Sequence, residues 1–238
     1  MTPDTAAAHA FEVTWPAAEY RDSGAFRTGR GLGAGGRVSS TIALRPDWNP
    51  DDLDAAEAVH HHWDQRPMFR MPDSDLTLRE ALLARGYRQE TPTAVMAIDC
   101  AALTRELPPM TAFAIWPPIA MQRDLWAAGN ISAERQAVME RVNGPHTSIL
   151  GRIDDRAAGA GFVAIAGDVA MVHAVEVAPQ FRRRGLASHL IRAAADWASA
   201  NGAARMGLAV SRGNTGARAL YDRLGFVEIG AYSYWARP

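Results

Sequence analysis

Between Val175 and Ala187 the chain reads Val-Glu-Val-Ala-Pro-Gln-Phe-Arg-Arg-Arg-Gly-Leu-Ala, a strand that stops, turns tightly and opens a helix. Val175 and Val177 suit an extended segment, and Pro179 removes a backbone donor and ends it. Leu186, Leu190, Ala194 and Trp197 then recur at helical spacing. The first turn of that helix has backbone N–H groups without intrahelical partners and carries the positive end of the helix dipole, so it can cradle an anion. Gly185 lets a ligand approach the backbone without meeting a side chain, and Ala187 keeps the turn shallow. Arg182, Arg183 and Arg184 add positive field around it. A diphosphate fits this chemistry.

Two further patterns follow in order: Asn214-x-x-Ala217-x-x-x-Tyr221, then Leu224-Gly225-Phe226. With Arg182-x-x-Gly185-x-Ala187 they resemble the acetyl-CoA loop and downstream motif of the GCN5-related N-acetyltransferases (GNAT), over roughly residues 110–238. The resemblance implies an α/β (α+β) GNAT fold, a central mixed, mostly antiparallel sheet flanked by helices. It implies that the strand carrying Val175 and Val177 splays from the strand near 205–211, and that the pantetheine arm of acetyl-CoA, the co-substrate, fills the gap like an extra strand. Arg182, Arg183, Arg184, Gly185, Leu186, Ala187 and Ser188 would surround the diphosphate. Asn214, Ala217 and Tyr221 would complete the cofactor side, with the Tyr221 phenol near the sulfur as proton donor to the departing thiolate. For the base the resemblance points to a carboxylate or histidine of the preceding strand. Glu176 and His173 are three residues apart and project to opposite faces of a regular strand, so only one faces the acceptor easily. Glu176, His173 and solvent all stay open for that role.

Composition narrows the rest. No apolar run approaches the ~18 residues of a membrane span, and Met1-Thr2-Pro3-Asp4 lacks the basic start and apolar stretch of a secretory leader. The single Cys100 excludes an intramolecular disulfide framework, and a reducing cytoplasm is the expected location. A net charge of −1 argues against nucleic acid as a partner. All 25 basic residues are arginine, which excludes Schiff-base and lysine general-base chemistry. The expected partners are acetyl-CoA and an unidentified amine acceptor; a homodimer stays open.

Helices are expected over 119–128, 132–142, 185–200 and 214–224. Strands are expected over 111–116, 147–153, 157–166, 169–177, 205–211 and 226–235. The N-terminal part reads as strand 37–44, helix 49–63, strand 68–71, helix 76–84 and strand 93–98. Arg85-Gly86-Tyr87 there is placed like Leu224-Gly225-Phe226. This suggests a smaller degenerate GNAT-like half over 1–107, ahead of a catalytic domain over 108–238, with a linker from Cys100 to Met110. The junction from Leu44 to Pro50 carries two prolines and no glycine, with Asp51 and Asp52 just beyond, so it should not hold a diphosphate.

Two patterns fail their context tests. Gly31-Leu32-Gly33-Ala34-Gly35-Gly36 matches G-x-G-x-x-G but precedes an expected strand, which speaks for a flexible connection and against dinucleotide binding. His60-His61-His62 are adjacent and point around a helix, so no metal site is expected. Three classes of function follow: an acetyl-CoA-dependent N-acetyltransferase, an acyl-CoA-binding regulatory protein without turnover, and an interaction module.

Overall fold

In a computed structural model the structure describes residues 4–237. In chain order the first part runs α1 (Thr5–Val13), β1 (Glu19–Ser23), β2 (Phe26–Arg30), α2 (Gly36–Ser39), β3 (Thr41–Ala43), α3 (Pro50–His62), β4 (Met68–Pro72), α4 (Leu76–Ala84), β5 (Arg88–Asp99) and α5 (Cys100–Leu103). It continues with β6 (Ala112–Ile115), α6 (Ala120–Ala128), α7 (Ala133–Met139), β7 (His146–Ile153), β8 (Arg156–Ala166), β9 (Val169–Val177), α8 (Leu186–Ala200), β10 (Arg205–Ser211), α9 (Thr215–Leu224) and β11 (Val227–Ala236). No helix of the described residues is long and apolar enough to cross a membrane.

The chain condenses into two units that alternate along the sequence. One takes the stretch ending at Pro16 with Met96–Ala209 and Thr215–Ile229, the other Ala17–Val95, Val210–Asn214 and the stretch from Gly230. A division at 107/108 therefore matches neither unit. The cause lies at the two chain ends: α1 packs into the first unit, and the end of β11 pairs into the second.

In the first unit β10, β9, β8, β7 and β6 lie side by side, β9 and β10 parallel and the other neighbours antiparallel. The parallel pair needs a crossover, and α8 supplies it. Its Leu186, Leu190, Ile191, Ala194, Ala195 and Ala198 are buried at helical spacing. Leu186 and Leu190 fill the room over Gly151 and Gly159, where an added Cβ would come within 3.2 Å of them. Strand β8 is buried over nearly its whole length, as expected of a strand covered on both faces. The helix α1 is capped by Asp4, which accepts from the Ala7 N–H at 3.0 Å and pairs with Arg205.

In the second unit the order is β1, β2, β3, β4 and the C-terminal part of β11, with β3 and β4 parallel and the others antiparallel. Here α3 makes the crossover between the parallel strands. Phe26, Leu53, Phe69, Met71, Leu78, Leu82, Tyr87 and Trp235 form its core. Trp235, opposite Phe69, is delivered by the last strand, which is why a contiguous N-terminal half does not hold this core. The expected strand over 37–44 is shorter: Gly36–Ser39 is helical, and only Thr41–Ala43 is extended. The glycine-rich stretch thus leads into a four-residue helix, too short to present a dipole end. His60 is buried and shares a 2.9 Å hydrogen bond with the Thr41 hydroxyl, while His61 and His62 are exposed, so the three imidazoles diverge.

Candidate functional site

The site is built where β9 ends. A single turn of 3₁₀ helix, Pro179–Phe181, follows the strand, and the chain then passes through Arg182 in extended conformation, Arg183 at φ +64° and Gly185 at φ +86° before α8 begins. Gly185 is the N-cap and no side chain caps the helix, unlike a Ser, Asp or Asn start that would occupy its own first-turn donors. Ser188 N–H reaches back to the Gly185 carbonyl at 3.0 Å. The N–H groups of Gly185, Leu186 and Ala187 have no protein partner among the described residues. An added Cβ at Gly185 would meet nothing within 4 Å. The first turn is therefore an open row of donors at the positive end of a fifteen-residue helix.

The three arginines differ in what they do. Arg184 holds Asp154 on the β7–β8 turn with two bonds of 2.8 and 3.1 Å, and so ties the hairpin tip to the loop. Arg182 folds back along the strand: its Nε donates to the Val177 carbonyl at 2.9 Å and its Nη2 to Glu176 Oε1 at 3.0 Å. Arg183 is exposed and makes no ion pair among the described residues.

Strand β9 carries a bulge. Its ladder with β8 shifts register between the pairs Ala160 with Glu176 and Phe162 with His173, so three steps on β9 oppose two on β8. Ala174, at φ +52°, takes the extra step, and its carbonyl accepts the Trp126 indole N–H at 2.8 Å from α6. Opposed residues point to the same face, and Ala160 and Phe162 share a face. His173 and Glu176 therefore also share one, contrary to the opposite faces of a regular strand. On the other edge, the parallel ladder of β9 with β10 ends at Val172 opposite Leu208, while β9 runs on to Val177. The edge of Val175–Val177 toward β10 carries no ladder bonds among the described residues, leaving a slot beside the loop.

The two candidate bases sit in different surroundings. His173 is buried under the end of α1, with the Trp15 ring 5.1 Å and the Phe162 ring 6.2 Å away. Thr14 donates its only hydroxyl proton to the Ala10 carbonyl at 2.6 Å, so the 2.9 Å contact with His173 Nε2 requires the imidazole N–H to be the donor. Nε2 thus carries the proton and is committed to Thr14. Glu176 is better exposed, with 17% of its side chain accessible, and lies against Gly129 of the α6–α7 connection. An added Cβ at Gly129 would come within 2.7 Å of the carboxyl group.

On α9, Ala217 and Tyr221 are four residues apart and share a face. Tyr221 is buried beside Phe226, and burial pushes its phenol up to about 12, so it is a neutral O–H donor at any ordinary pH. Asn214 precedes the helix and its N–H donates to the Ser211 carbonyl at 2.9 Å; it falls in the other unit's segment Val210–Asn214. The loop, Val175, Val177, Glu176, His173, Ala217 and Tyr221 all belong to the first unit.

Thr14, Trp15 and Gly129 escaped the sequence reading, as did the bond from Trp126 to the Ala174 carbonyl. The signal for α1 was present in Asp4 as cap and in Ala7, Ala10 and Phe11 at helical spacing. An open groove of about 760 Å³ lies between α6 and the β7–β8 hairpin, with an apolar floor of Met121, Leu125, Leu150 and Ala157. It reaches Ala178, two residues beyond Glu176.

A family model described as acetyltransferase (GNAT) family matches residues 105–226. No curated protein matches. Among solved structures, a GCN5-related N-acetyltransferase from Kribbella flavida is similar over 100% of this chain and 97% of its own, with TM-score 0.73 and 17% identity. A functionally unknown conserved protein from Staphylococcus epidermidis covers 95% of both chains at TM-score 0.69 and 14% identity. A tandem GNAT protein from the clavulanic acid biosynthesis pathway matches 82% of this chain and 74% of its own, at TM-score 0.59 and 14% identity. At these identities the likeness is one of fold.

Proposed function

The chain belongs to the acetyltransferase (GNAT) family, and from that premise we propose that it is an acetyl-CoA-dependent N-acetyltransferase acting on a primary amine of a small molecule or a protein N-terminus. The observation that carries this reading is the uncapped start of α8: free first-turn donors, a left-handed glycine with open space in front of it, and a slot along β9 beside it. These fit a diphosphate and an extended arm. Gly185, Leu186, Ala187 and Ser188 would hold the diphosphate with Arg183 above it, and the edge of Val175–Val177 would hold the arm. When bound, acetyl-CoA supplies a thioester from which an acetyl group passes to nitrogen.

The residues of this chain would manage the protons. An amine must be neutral to attack, and Glu176 is the better acceptor for its proton, because it is the accessible one of the pair and shares its face with the groove at Ala178. His173 would serve as a fixed wall beneath it, since its Nε2 proton already goes to Thr14. Tyr221, pushed up to about 12, is a weaker acid than a thiol of ordinary pKa ~8.5, so its role would be to donate its O–H to the sulfur as charge builds there. The groove over Met121 and Leu125 gives the acceptor's apolar part room.

Free thiol release from acetyl-CoA across a panel of primary amines tests the reading. Amine-dependent release supports it. Acetyl-CoA binding without release on any amine, including N-terminal peptides, would leave an acyl-CoA-binding regulatory protein.

A further inference from the structure

Arg182 is the first residue of the loop motif, yet it turns away from the start of α8 and lies on Glu176 and the Val177 carbonyl. On the reading above, a single cation thus stands between two anions, the carboxylate of the proposed base and the diphosphate of the ligand. The pair with Glu176 is weakly held, because 56% of the arginine side chain is exposed to screening solvent. A diphosphate carries more negative charge and offers several acceptor oxygens to a planar guanidinium. The carboxylate is the fixed partner, packed against Gly129, and the long arginine is the one free to move. Arg184 cannot substitute for it without releasing Asp154.

We propose that Arg182 is a positioning residue that exchanges Glu176 for the cofactor. Before binding it neutralises the carboxylate and occupies the Val177 carbonyl at the mouth of the slot. On binding it turns to the diphosphate, which frees the carbonyl for the ligand and leaves Glu176 as an unpaired carboxylate able to take the amine's proton. Proton acceptance is thereby switched on only when the acetyl donor is present. This inference rests on the proposed function.

Calorimetric titration of CoA into four full-length proteins tests it: the wild type, Glu176→Gln, Arg182→Met and the double variant. Arg182 is exposed and Glu176 is half-buried, and equal melting temperatures would verify intact folding. Glu176→Gln should bind CoA about two- to fivefold more tightly, the worth of an ion pair with one solvent-screened partner that no longer competes. In the Arg182→Met background the same change should have no effect. Equal tightening in both backgrounds would assign the effect to simple repulsion and overturn the exchange, as would unchanged affinity of Glu176→Gln. At saturating acetyl-CoA, Arg182→Met should keep most of kcat while raising the cofactor KM; a fall in kcat alone would also overturn it. Absence of CoA binding to the folded wild type would instead defeat the functional reading itself.

Discussion

Two helices of this chain begin in the same setting, each the crossover between two parallel strands, and they end their first turns in opposite ways. At α8 the cap is Gly185, no acid lies in the first turn, and the donors face open space. At α3 the cap is Asn49, whose side chain accepts from Asp51 N–H at 2.8 Å and from Asp52 N–H at 3.1 Å, while Asp52 returns a bond to the Asn49 N–H at 3.2 Å. Pro50 removes one more donor. The second start satisfies itself and holds negative charge at its dipole end; the first is left unsatisfied. A helix start is thus either a structural terminus or a binding site, and the cap residue decides which. The self-capped start gains stability from the groups that the open one withholds for a ligand.

The largest expected break in this contrast is Gly185→Glu. It should lower CoA affinity by roughly 10³-fold or more, because it combines bulk and like charge at the diphosphate position with a side chain forced to φ +86°. Gly185→Ala, which keeps the backbone strain without the charge, should lose far less, and calorimetry on both separates the two causes. Equal losses would mean that backbone geometry alone makes the site.

Next comes Tyr221→Phe, expected to keep CoA affinity and to lower kcat by about 10²-fold. Unchanged turnover, measured by thiol release, would show that the sulfur leaves without help from α9.

The unit that contains α3 should be the acid-labile one. His60 is buried, and burial lowers its pKa from the usual 6.5 to about 4. The unfolded chain takes the proton first, so stability is complete above pH 6.5 and falls as pH drops toward 4, by about 2 to 3 kcal/mol. Urea unfolding at pH 7 and pH 4.5 should reveal this loss, and His60→Gln should abolish the pH dependence in that window.

The smallest effect tests the comparison most directly. Asn49→Ala should destabilise its unit by about 1 kcal/mol, the ordinary worth of a lost cap, and should still give one CoA per chain in calorimetry. Acquisition of a second site would mean that the cap, and not Pro50 with Asp51 and Asp52, is what keeps α3 from binding.

The loop and its helix were legible in the sequence because their signals are local. Pro179, Gly185 and the leucine spacing of α8 fix the junction without reference to anything distant, and the elements from 111 to 235 fall within a few residues of expectation. What the sequence hid depends on pairing at long range. Nothing in Thr5–Val13 announces that it belongs with β9, and nothing in Val227–Ala236 says that its second half will face β4. The linear split at 107/108 differs from the two units for that reason, and a fragment of residues 108–238 would lack Thr14 and Trp15. The distortion of β9 was hidden for another: Val-His-Ala-Val-Glu-Val alternates well enough to pass as regular, with no glycine or proline to mark Ala174. Trp126, which fixes that carbonyl, is 48 positions away.

Ala174 also acts as a phase marker in the chain. Every residue between it and the loop has its parity set by that one inserted position, so the sequence holds an odd spacing where the function needs an even one. Deleting Ala174 would leave His173 and Glu176 two apart, and a regular strand would hold both on the face they now share; what would be lost is the carbonyl that accepts the Trp126 indole. Forcing β9 into regular alternation at its present length would instead turn Glu176 toward the leucines of α8 and leave Val175 on the acceptor side. Two changes to this strand therefore act in opposite senses: shortening it by one residue at the bulge keeps its faces, whereas straightening it at constant length exchanges them while every side chain remains in the sequence.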